Sequence, residues 1–587
     1  MTARIAEERR FTTHDGAELF YRRWPALSET PRGAILLFHR GHEHGGRMAH
    51  LVDELELPDH VFYAWDARGH GRSPGARGGD TPFAAVVRDI DVFVRHLRAT
   101  DGWAPEDLAI VAQSVGAVLA AAWVHDYAPR IRALVLASPA FSVRLYVPLA
   151  RPGLAALHAA FGDFVVNSYV KARFLTHDEE RIASFEADPL VTRPISVQML
   201  LGLYEAGDRL VADARAITVP TQLLISGDDW VVNPDPQHRF FVNLGSPIRE
   251  RHVLPGFYHD TLGEKGRSVA VALVRTFLEA RWSEPLDLPS LLDADRVGYT
   301  RDEAEALASP LPAWSPRGLY WAATRTALEL GAGLSEGLAI GRRTGFDSGS
   351  MLDYVYRNQA RGSGPLGWLV DRLYLDAVGW RGIRRRKVHL EELLADAMQR
   401  LRDAQLPVNV VDIAAGHGRY VLDALASAEV WPDRILLRDY APINVEAGRR
   451  LIVEKGLGGV ASFELGDAFD GDDLAALSPR PTLAVVSGLY ELFSDNERVA
   501  RSLAGLGRAV PVGGYLVYTC QPWHPQLELI ARALSSHREG RAWIMRRRTQ
   551  AEMDQLVEAA GFEKVDQRID DPGIFTVSLA RRIDDVR

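Results

Sequence analysis

Cysteine is almost absent from this sequence, since Cys520 is the only one in 587 residues. A single thiol cannot form an intramolecular disulfide, so the composition gives no reason to expect an oxidising compartment. Apolar runs are also short, and none approaches the roughly 20 residues that a membrane-spanning helix needs. Residues 1–10 are charged and lack the apolar core of a secretion signal. We therefore predict a cytoplasmic protein, and peripheral membrane contact stays open.

An excess of positive charge is lacking as well. The formal net charge is −9, which argues against a general electrostatic attraction to nucleic acid, so we predict no nucleic-acid partner. Hydrophobic residues make up 47% of the chain and charged residues 25%, as in ordinary globular proteins. A chain of 587 residues is too long for one core, and roughly two to four domains are expected. No metal site is predicted.

Residues 109–120 (AIVAQSVGAVLA) carry the first candidate site. An apolar run ends at Gln113, Ser114 follows, and small residues then open a segment that favours helix. This is the layout of a nucleophile elbow, a sharp turn from strand to helix that exposes a serine above a sheet. The usual pattern is G-x-S-x-G, and Ala112 stands here at the first glycine. Small residues are required because strand and helix pack closely at the turn.

Two further loops follow predicted buried strands, residues 39–47 (HRGHEHGGR) and 66–73 (DARGHGRS). Strands that alternate with helical patterns indicate a parallel sheet, and ligands bind at the carboxyl edge of such a sheet. Together with residues 112–116, these loops resemble the monoglyceride lipase and lysophospholipase branch of the α/β-hydrolases. The resemblance implies an α/β-hydrolase fold in which the acid and the base follow the serine in the order Ser, Asp, His.

An acidic pair and a histidine stand in that order. Asp228 and Asp229 follow a predicted strand at residues 221–226, and His259 follows a later predicted strand. Family spacing favours Asp229 as the acid of the triad, and Asp228 is the alternative. In the implied mechanism His259 takes the proton of Ser114 as general base, and the carboxylate fixes the tautomer of the imidazole.

The same resemblance assigns the oxyanion hole to the backbone N–H groups of Gly41 and Val115. The chain departs from the family at the residue after His39, where the family has glycine and this chain has Arg40. Three interpretations of Arg40 stay open: its side chain narrows the acyl site, contacts a negatively charged head group, or points to solvent.

Residues 140–219 show no strand pattern and are rich in Leu, Ala, Phe and Tyr. Within them, residues 145–161 are apolar at helical spacing. In the family that the chain resembles, this insertion is a helical cap that lines the acyl-binding pocket. An apolar cap suits a lipid-like ester, so the expected substrate is a small-molecule or lipid ester.

Composition also predicts the domain boundaries. Residues 1–283 form the α/β-hydrolase domain, with its cap at about residues 140–219. Repeated prolines mark residues 284–318 as an interdomain linker. A helical lead-in at residues 319–400 precedes a second domain at residues 401–587.

Two stretches of the lead-in have roles that stay open. Residues 319–342 form an amphipathic helical pattern that either docks on protein or lies on a bilayer. Residues 372–387 are the most basic in the chain, and they form either a solvated surface or a site for a phosphate or anionic head group.

Residues 408–420 (VNVVDIAAGHGRY) carry the second candidate site. A predicted strand ends in Asp412, and a loop of small residues then opens a helix. The segment resembles the first motif of class I S-adenosylmethionine-dependent methyltransferases, acid-x-Gly-x-Gly-x-Gly. Ala414 stands at the first glycine, and Gly416 and Gly418 are in place. Such glycines let the backbone approach a cofactor closely.

Two further acids extend this resemblance. Asp439 ends a second predicted strand about 20 residues past the glycines, where a carboxylate can accept hydrogen bonds from ribose hydroxyls. Asp467 lies in a segment (FELGDAF) similar to the family's third motif, whose acid faces the adenine amino group. The resemblance implies a Rossmann-like class I methyltransferase fold. It also implies that S-adenosyl-L-methionine is bound through Asp412, Ala414, Gly416, Gly418, Asp439 and Asp467.

Other chemical side chains of the second half have two interpretations. Tyr490, Glu491 and His524 follow the predicted fourth and fifth strands, and they either face the transferred methyl group or are structural. Cys520 lies at a strand end, and we expect it to be packed rather than nucleophilic.

The whole chain resembles a bacterial-type fusion of an α/β-hydrolase with a class I methyltransferase. We predict a bifunctional enzyme. Its first half hydrolyses an ester of a lysophospholipid or monoacylglycerol through an acyl-Ser114 intermediate, and its second half transfers a methyl group from S-adenosylmethionine to an unknown acceptor. Two alternatives stay open. The methyltransferase-like half only binds cofactor or is structural, or the protein is a non-enzymatic scaffold that binds lipid.

Overall fold

The computed structural model describes residues 4–78, 81–426, 428–538 and 540–583. The chain divides into two compact units, Met1–Pro289 and Ser290–Arg587. No helix within the described ranges is both long enough and apolar enough to cross a membrane.

The first unit alternates strands and helices along the chain. Its strands are β1 (Glu7–Thr12), β2 (Glu18–Trp24), β3 (Gly33–Phe38), β4 (His60–Trp65), β5 (Leu108–Gln113), β6 (Ala133–Ala137), β7 (Val165–Asn167), β8 (Pro194–Ser196), β9 (Thr221–Ser226) and β10 (Arg249–Leu254). Its helices are α1 (His50–Glu54), α2 (Phe83–Asp101), α3 (Val115–Tyr127), α4 (Ala150–Phe161), α5 (Glu179–Ala187), α6 (Val197–Ala212), α7 (Pro234–Asn243) and α8 (Ser268–Ser283).

One sheet organises this unit, with the strand order β1-β2-β4-β3-β5-β6-β9-β10. Strands β1 and β2 are antiparallel, and from β4 to β10 neighbouring strands are parallel. Strands β3 to β6 are buried along their whole length. Parallel strands covered on both faces are expected to be continuous apolar runs, which explains their sequences. This architecture confirms the predicted α/β-hydrolase fold.

The cap lies between β6 and β9. It consists of α4, α5 and α6 together with a small antiparallel sheet of β7 and β8, in which Val165 pairs with Ser196. The interpretation of residues 140–219 as free of strands is therefore wrong. Strands of three residues are too short to show an alternating pattern that can be read from a sequence.

The second unit contains a lead-in of helices and then a second sheet. Its helices are α9 (Ala294–Val297), α10 (Tyr299–Ala308), α11 (Pro316–Gly331), α12 (Glu336–Thr344), α13 (Gly349–Arg357), α14 (Gly364–Leu375), α15 (Val378–Asp403), α16 (Arg419–Ala426), α17 (Pro442–Glu454), α18 (Gly471–Ala475), α19 (Asn496–Ala509), α20 (Leu527–Ala533) and α21 (Gln550–Ala559). Its strands are β11 (Asn409–Asp412), β12 (Arg434–Asp439), β13 (Ala461–Leu465), β14 (Leu483–Val486), β15 (Tyr515–Cys520), β16 (Phe562–Ile569) and β17 (Thr576–Arg582).

The strand order of this sheet is β13-β12-β11-β14-β15-β17-β16. Strands β11 to β15 pair in parallel, and β17 lies antiparallel to both β15 and β16. The order reverses between β11 and β14, which creates the crevice at the carboxyl edge where doubly wound sheets bind ligands. Five parallel strands with a terminal antiparallel hairpin confirm the predicted Rossmann-like methyltransferase fold.

Residues 284–318, predicted to be a linker, contain α9, α10 and the start of α11. The prolines lie at both ends of this stretch, and residues 290–309 contain none, so nothing prevents helix there. Pro316 occupies the first turn of α11, where a missing N–H removes no helical hydrogen bond. The proline-rich composition therefore marks the edges of short helices rather than one extended segment.

Candidate active sites

Ser114 stands at a sharp turn between β5 and α3. Its backbone has φ 56° and ψ −116°, a conformation that a residue with a side chain rarely adopts. A Cβ on Gly116 would lie 2.4 Å from the backbone oxygen of His39, so only glycine fits two residues after the serine. The turn therefore has the strand-to-helix geometry of a nucleophile elbow.

The structure brings Ser114, His259 and Asp229 together in a hydrogen-bonded chain. His259 Nε2 lies 2.7 Å from Ser114 Oγ, and His259 Nδ1 lies 2.8 Å from Asp229 Oδ2. All three side chains are buried. This geometry allows a proton to pass from the serine to the imidazole while the carboxylate holds the opposite ring nitrogen.

The acid of this chain of hydrogen bonds is Asp229, because Asp228 is exposed and Asp229 is buried. Asp229 Oδ1 accepts hydrogen bonds from the backbone N–H groups of Val231 (2.7 Å) and Val232 (3.0 Å). Burial raises the pKa of Asp229, but the neighbouring His259 and these amides outweigh it, and its net pKa lies below the ordinary value. The carboxylate is therefore ionised where the imidazole needs it.

Gly41 and Val115, whose backbone amides are predicted to form an oxyanion hole, lie close together. A Cβ on Gly41 would lie 3.1 Å from Val115 Cγ2, so the loop after β3 passes directly over the first turn of α3. Both residues line the same cavity as Ser114 and His259. The two residues predicted to supply the oxyanion hole therefore lie close together at the cavity of Ser114 and His259, and their N–H groups stay the predicted donors to a tetrahedral oxyanion.

Arg40 does not point to solvent, because its side chain is 5% exposed. Its Nε and Nη2 donate to the two carboxylate oxygens of Glu43 at 2.7 and 2.6 Å. Its Nη2 also lies 3.7 Å from Asp260 Oδ2. The guanidinium is therefore paired within the protein rather than free to hold a head group, although the residue still lines the cavity.

Asp260, the residue after His259, is the centre of this ion-pair cluster. Its Oδ2 accepts from Arg181 Nε of α5 at 2.5 Å, and its Oδ1 accepts from Gln113 Nε2 of β5 at 2.8 Å. Burial raises the pKa of Asp260, but the two arginines outweigh it and hold its net pKa below the usual range. The cluster fixes the loop of His259 to both the sheet and the cap. This pairing cannot be read from the sequence, because its partners are far apart in the chain.

Replacing Asp260 by asparagine is expected to lower the free energy of unfolding of the first unit by roughly 3 kcal/mol, because it leaves the side chain of Arg181, which is only 16% exposed, without its nearest carboxylate. Urea titration followed by circular dichroism measures this change. Asp228→Asn is the matched control, since that carboxylate is exposed and should shift stability by less than about 0.5 kcal/mol. Equal midpoints for the two variants would show that the buried pair is not stabilising.

A cavity of about 340 Å³ opens over Ser114 and His259. Its size lies within the range of small-molecule sites. Most of its walls are apolar, and the cap contributes Leu145, Val147, Leu154, Val166, Leu175, Phe185, Ile195, Met199, Leu200 and Leu203. An apolar cavity that ends at a serine and a histidine suits an acyl chain.

The second candidate site is the loop between β11 and α16. Gly416 has φ 56° and Gly418 has φ 73°, a region that favours glycine. A Cβ on Gly418 would lie 2.5 Å from Leu437 Cδ1 of β12, so this position also needs glycine for packing. A Cβ on Gly416 would meet Gly349 Cα at 3.7 Å, an ordinary contact, so the positive φ and not crowding favours glycine there.

Asp439 is tied to this glycine loop. Its Oδ2 accepts from the backbone N–H of Gly416 at 3.0 Å, and its Oδ1 accepts from Ala441 N at 2.9 Å and Asn444 Nδ2 at 3.0 Å. Burial raises the pKa of Asp439 against the effect of these hydrogen bonds. A carboxylate has about four lone-pair positions, so one remains for a ligand hydroxyl.

Ala414, Gly416, Gly418, Asp439 and Asp467 line one cavity of about 560 Å³ at the carboxyl edge of the sheet. Asp467 is exposed, and its Oδ1 accepts from Phe469 N at 2.9 Å, which leaves its other oxygen for a ligand. His417 and Ser487 also line this cavity. In the described part of the chain, His417 Nε2 and Ser487 Oγ are buried and have no hydrogen-bond partner. The residues present therefore fit a nucleoside with a charged tail.

Asp412 is placed differently from the other predicted cofactor residues. It is fully buried beneath the loop and is absent from the residues that line the cavity. Its carboxylate accepts hydrogen bonds from the Tyr420 hydroxyl and from Ala414 N. The expectation that it contacts cofactor directly is corrected: it shapes the loop from below.

The stability of the second unit is expected to depend on pH through Asp412. Burial raises the pKa of Asp412 from its ordinary value of 3.8 to about 7. The folded state therefore favours the protonated acid, and its stability falls as pH rises from about 4 to 7 and then levels off. Between pH 5 and 8 the free energy of unfolding of the wild type should fall by roughly 2–3 kcal/mol relative to that of Asp412→Asn. Urea titration at each pH measures both free energies. Parallel curves for the two proteins would contradict this expectation.

The basic residues 372–387 do not form an open anion site. Arg372 Nε donates to Asp376 at 2.8 Å, and Lys387 Nζ lies 2.5 Å from Glu391 and 3.0 Å from Asp423. Arg386 is buried. Most of these charges are paired within the protein, so the hypothesis of a head-group site on this stretch is not supported. The amphipathic pattern at residues 319–342 belongs to two helices, α11 and α12, rather than one.

Of the other residues singled out in the second half, Tyr490 and Cys520 are buried. Tyr490 donates its hydroxyl to Ser502 at 2.9 Å, and Cys520 Sγ contacts the backbone oxygen of Arg548 at 3.4 Å. Both are packed. Glu491 and His524 instead line a further cavity of the second unit.

Comparison with known proteins agrees with both folds. Residues 274–582, more than half of the chain, match the family model described as "Putative methyltransferase". The chain belongs to this family. Residues 29–266 match the family model described as "Serine aminopeptidase, S33". This methyltransferase-family chain therefore also carries a hydrolase domain.

Two relatives illustrate the fusion. The chain is 55% identical over 583 residues to "Uncharacterized protein YnbC" of Escherichia coli, with 99% of each chain covered. It is 28% identical over 291 residues to a monoacylglycerol lipase of Mycolicibacterium smegmatis, which covers 47% of this chain and 99% of the lipase. Among solved structures, a monoacylglycerol lipase of Paleococcus ferrophilus is 21% identical, with a TM-score of 0.40 over 47% of this chain and 99% of that one. This chain thus joins a serine hydrolase half that is similar to monoglyceride lipases to a half that belongs to the methyltransferase family.

Proposed function

We propose that the protein is a bifunctional enzyme, a serine hydrolase of lipid-like carboxylic esters joined to an S-adenosylmethionine-dependent methyltransferase. The observation that carries the first activity is the hydrogen-bonded chain from Ser114 through His259 to Asp229 beside an apolar cavity. The likeness to a monoacylglycerol lipase supports a monoacylglycerol or lysophospholipid as the ester.

The proposed hydrolysis begins when His259 Nε2 accepts the proton of Ser114 and the serine oxygen attacks the ester carbonyl. Asp229 accepts the hydrogen bond of Nδ1–H and stabilises the imidazolium. The N–H groups of Gly41 and Val115 donate to the oxyanion. The imidazolium protonates the departing alcohol, and the same histidine then activates the water that releases the acyl group from Ser114.

This activity is tested with a fluorophosphonate probe and two substrates, 1-oleoylglycerol and an oleoyl lysophosphatidylcholine. We expect the probe to label Ser114 and oleate to be released from at least one substrate. Mass spectrometry of the labelled peptide identifies the residue. A folded protein that is neither labelled nor active would contradict the proposal and favour a lipid-binding scaffold.

The second activity is supported by one cavity that gathers Gly416, Gly418, Asp439 and Asp467. When bound, S-adenosylmethionine supplies an electrophilic methyl group on a sulfonium. In this proposal the glycine loop binds the charged amino-acid tail. Asp439 accepts a hydrogen bond from a ribose hydroxyl, and Asp467 accepts one from the adenine amino group.

Methyl transfer is tested by incubating the wild type and Ser114→Ala with a bacterial lipid extract and methyl-labelled S-adenosylmethionine. A product that lost an acyl chain and gained label only with the wild type would support both activities in one pathway. Binding of S-adenosylhomocysteine without any labelled product, from lipids or from a soluble extract, would favour a module that only binds cofactor. No binding would contradict the second half of the proposal.

A further inference from the structure

The second unit has another cavity, of about 250 Å³, which adjoins the cofactor cavity. Residues that line both are Asp347, Leu352, Arg386, Gly488 and Leu492. Gly488 follows β14, at the point where the strand order reverses. The two cavities therefore meet at the carboxyl edge of the sheet, where a ligand bound in the first cavity can extend a reactive group into the second.

The walls of this second cavity are largely apolar. Tyr374, Trp380, Phe575 and Trp543 contribute aromatic rings, and aliphatic side chains such as Ile383 fill the spaces between them. The rings of Tyr374 and Trp380 lie 5.7 Å apart in an edge-to-face arrangement. Apolar walls of this kind favour a molecule without an ionised head group, because burying an unpaired charge is costly.

Glu491 provides an acceptor for a ligand at this cavity. Its Oε1 accepts from Thr519 Oγ1 at 2.7 Å, which fixes the orientation of the carboxylate. Its Oε2 is buried and has no hydrogen-bond partner within the described ranges. A buried carboxylate oxygen without a donor is costly, so the site is incomplete until a ligand supplies an O–H or N–H.

His524 provides a donor. Its Nδ1 accepts from the backbone N–H of Gln526 at 3.0 Å, so this nitrogen carries no proton. Burial lowers the pKa of His524 to about 4, and the ring is therefore neutral near pH 7 with its proton on Nε2. A Cβ on Gly379 would lie 3.0 Å from this Nε2. The glycine on α15 thus leaves the donor uncovered.

Arg386 lies at the junction of the two cavities. Its guanidinium carbon is 5.1 Å from the centre of the Phe575 ring, and its Nη1 is 3.9 Å from Glu491 Oε1. This cation lies where it stabilises negative charge that develops on an acceptor oxygen.

We propose that this cavity binds the methyl acceptor and that the acceptor is a small, largely apolar hydroxyl compound whose O–H donates to Glu491. The inference rests on the proposed methyltransferase function. A hydroxyl matches the site because it can donate to the bare carboxylate oxygen and accept from an N–H such as that of His524. An anionic acceptor would be repelled by Glu491.

In the transfer, a lone pair of the hydroxyl oxygen forms the new O–C bond to the methyl group. The bond between that carbon and the sulfonium sulfur breaks, and its electron pair stays on sulfur. The hydroxyl proton passes to Glu491 and then to solvent. The products are a methyl ether, S-adenosylhomocysteine and one proton.

The test uses the full-length protein, 2-naphthol, and 2-methoxynaphthalene, which has the same rings without a donor. Both are titrated by fluorescence in the presence of S-adenosylhomocysteine. We expect 2-naphthol to bind about tenfold more tightly than 2-methoxynaphthalene, because one hydrogen bond to a charged group changes the dissociation constant by about that factor. Glu491→Gln should reduce this preference to about twofold. Equal affinity of the wild type for the two probes would overturn the assignment of a hydroxyl acceptor.

Location is tested with Leu529→Trp, which places a large ring at a residue that lines this cavity. It should abolish binding of both probes. Leu366→Trp is the matched control, because Leu366 is 62% exposed on α14 and lies outside the lining. Unchanged binding in Leu529→Trp would overturn the site.

A parallel calorimetric titration with S-adenosylhomocysteine separates the two proposals. If S-adenosylhomocysteine binds and neither naphthalene probe binds, the proposed acceptor site fails and the proposed cofactor site stands. If it does not bind, both fail.

Discussion

Ester hydrolysis by Ser114→Ala is expected to be about 10⁶-fold slower in kcat than by the wild type. The substitution removes the oxygen that attacks the carbonyl but leaves His259 Nδ1 2.8 Å from Asp229 Oδ2. A residual acceleration from the oxyanion amides and from substrate binding should remain. The measurement is the rate of oleate release from 1-oleoylglycerol, with loss of fluorophosphonate labelling as an independent readout.

The two adjacent acids of the loop after β9 provide a matched pair of variants, one in the hydrogen-bonded chain and one outside it. Asp229→Asn should lower kcat by about 10⁴-fold, because an amide allows the wrong imidazole tautomer. Asp228→Asn should stay within about twofold of the wild type, since its side chain is exposed and outside the hydrogen-bonded chain. If Ser114→Ala kept activity within tenfold of the wild type, another nucleophile would have to be responsible.

Asp439→Asn is expected to weaken S-adenosylhomocysteine binding by about 100-fold. The carboxylate accepts from Gly416 N, Ala441 N and Asn444 Nδ2, and an amide would place its own N–H₂ group against one of these donors. The glycine loop would then lose its orientation, and the ribose would lose its acceptor. Isothermal titration calorimetry measures the dissociation constant.

Asp472→Asn is the control for this experiment, because its side chain is 92% exposed on α18 of the same unit. It should change the affinity by less than about twofold. Thermal melting of both variants shows whether the second unit remains folded. Unchanged affinity in a folded Asp439→Asn would remove Asp439 from the cofactor site.

The meeting of Ser114, Asp229 and His259 was predictable because each residue follows a strand of one parallel sheet. Parallel strands bring their carboxyl ends to a single edge, so order along the chain becomes proximity in space. The same logic brought Asp439 to the glycine loop. Its role as a tie for the Gly416 amide was not predictable, because the motif specifies a position and not the partners of each oxygen.

Other features depend on side-chain contacts, some local and some distant, that a single sequence does not display. Arg40 departs from the family pattern in the sequence, but its pairing with Glu43 depends on the local turn after β3. Asp260 and Arg181 belong to the sheet loop and the cap, and only folding brings them together. Asp412 has the sequence position of a ligand residue, yet its burial beneath the loop follows from the packing of Tyr420.

The cap is anchored unevenly. Neither α4 nor α5 has a buried residue, but α5 is held to the loop of His259 by the ion pair between Arg181 and Asp260. The ion pair of α4 is exposed and lies within the cap, between Arg151 and Asp208 of α6. The free energy needed to separate each helix from the core therefore differs, and fluctuations of the cap should be concentrated in α4. An ester would enter from that side, while the helix beside the general base keeps its place through each turnover.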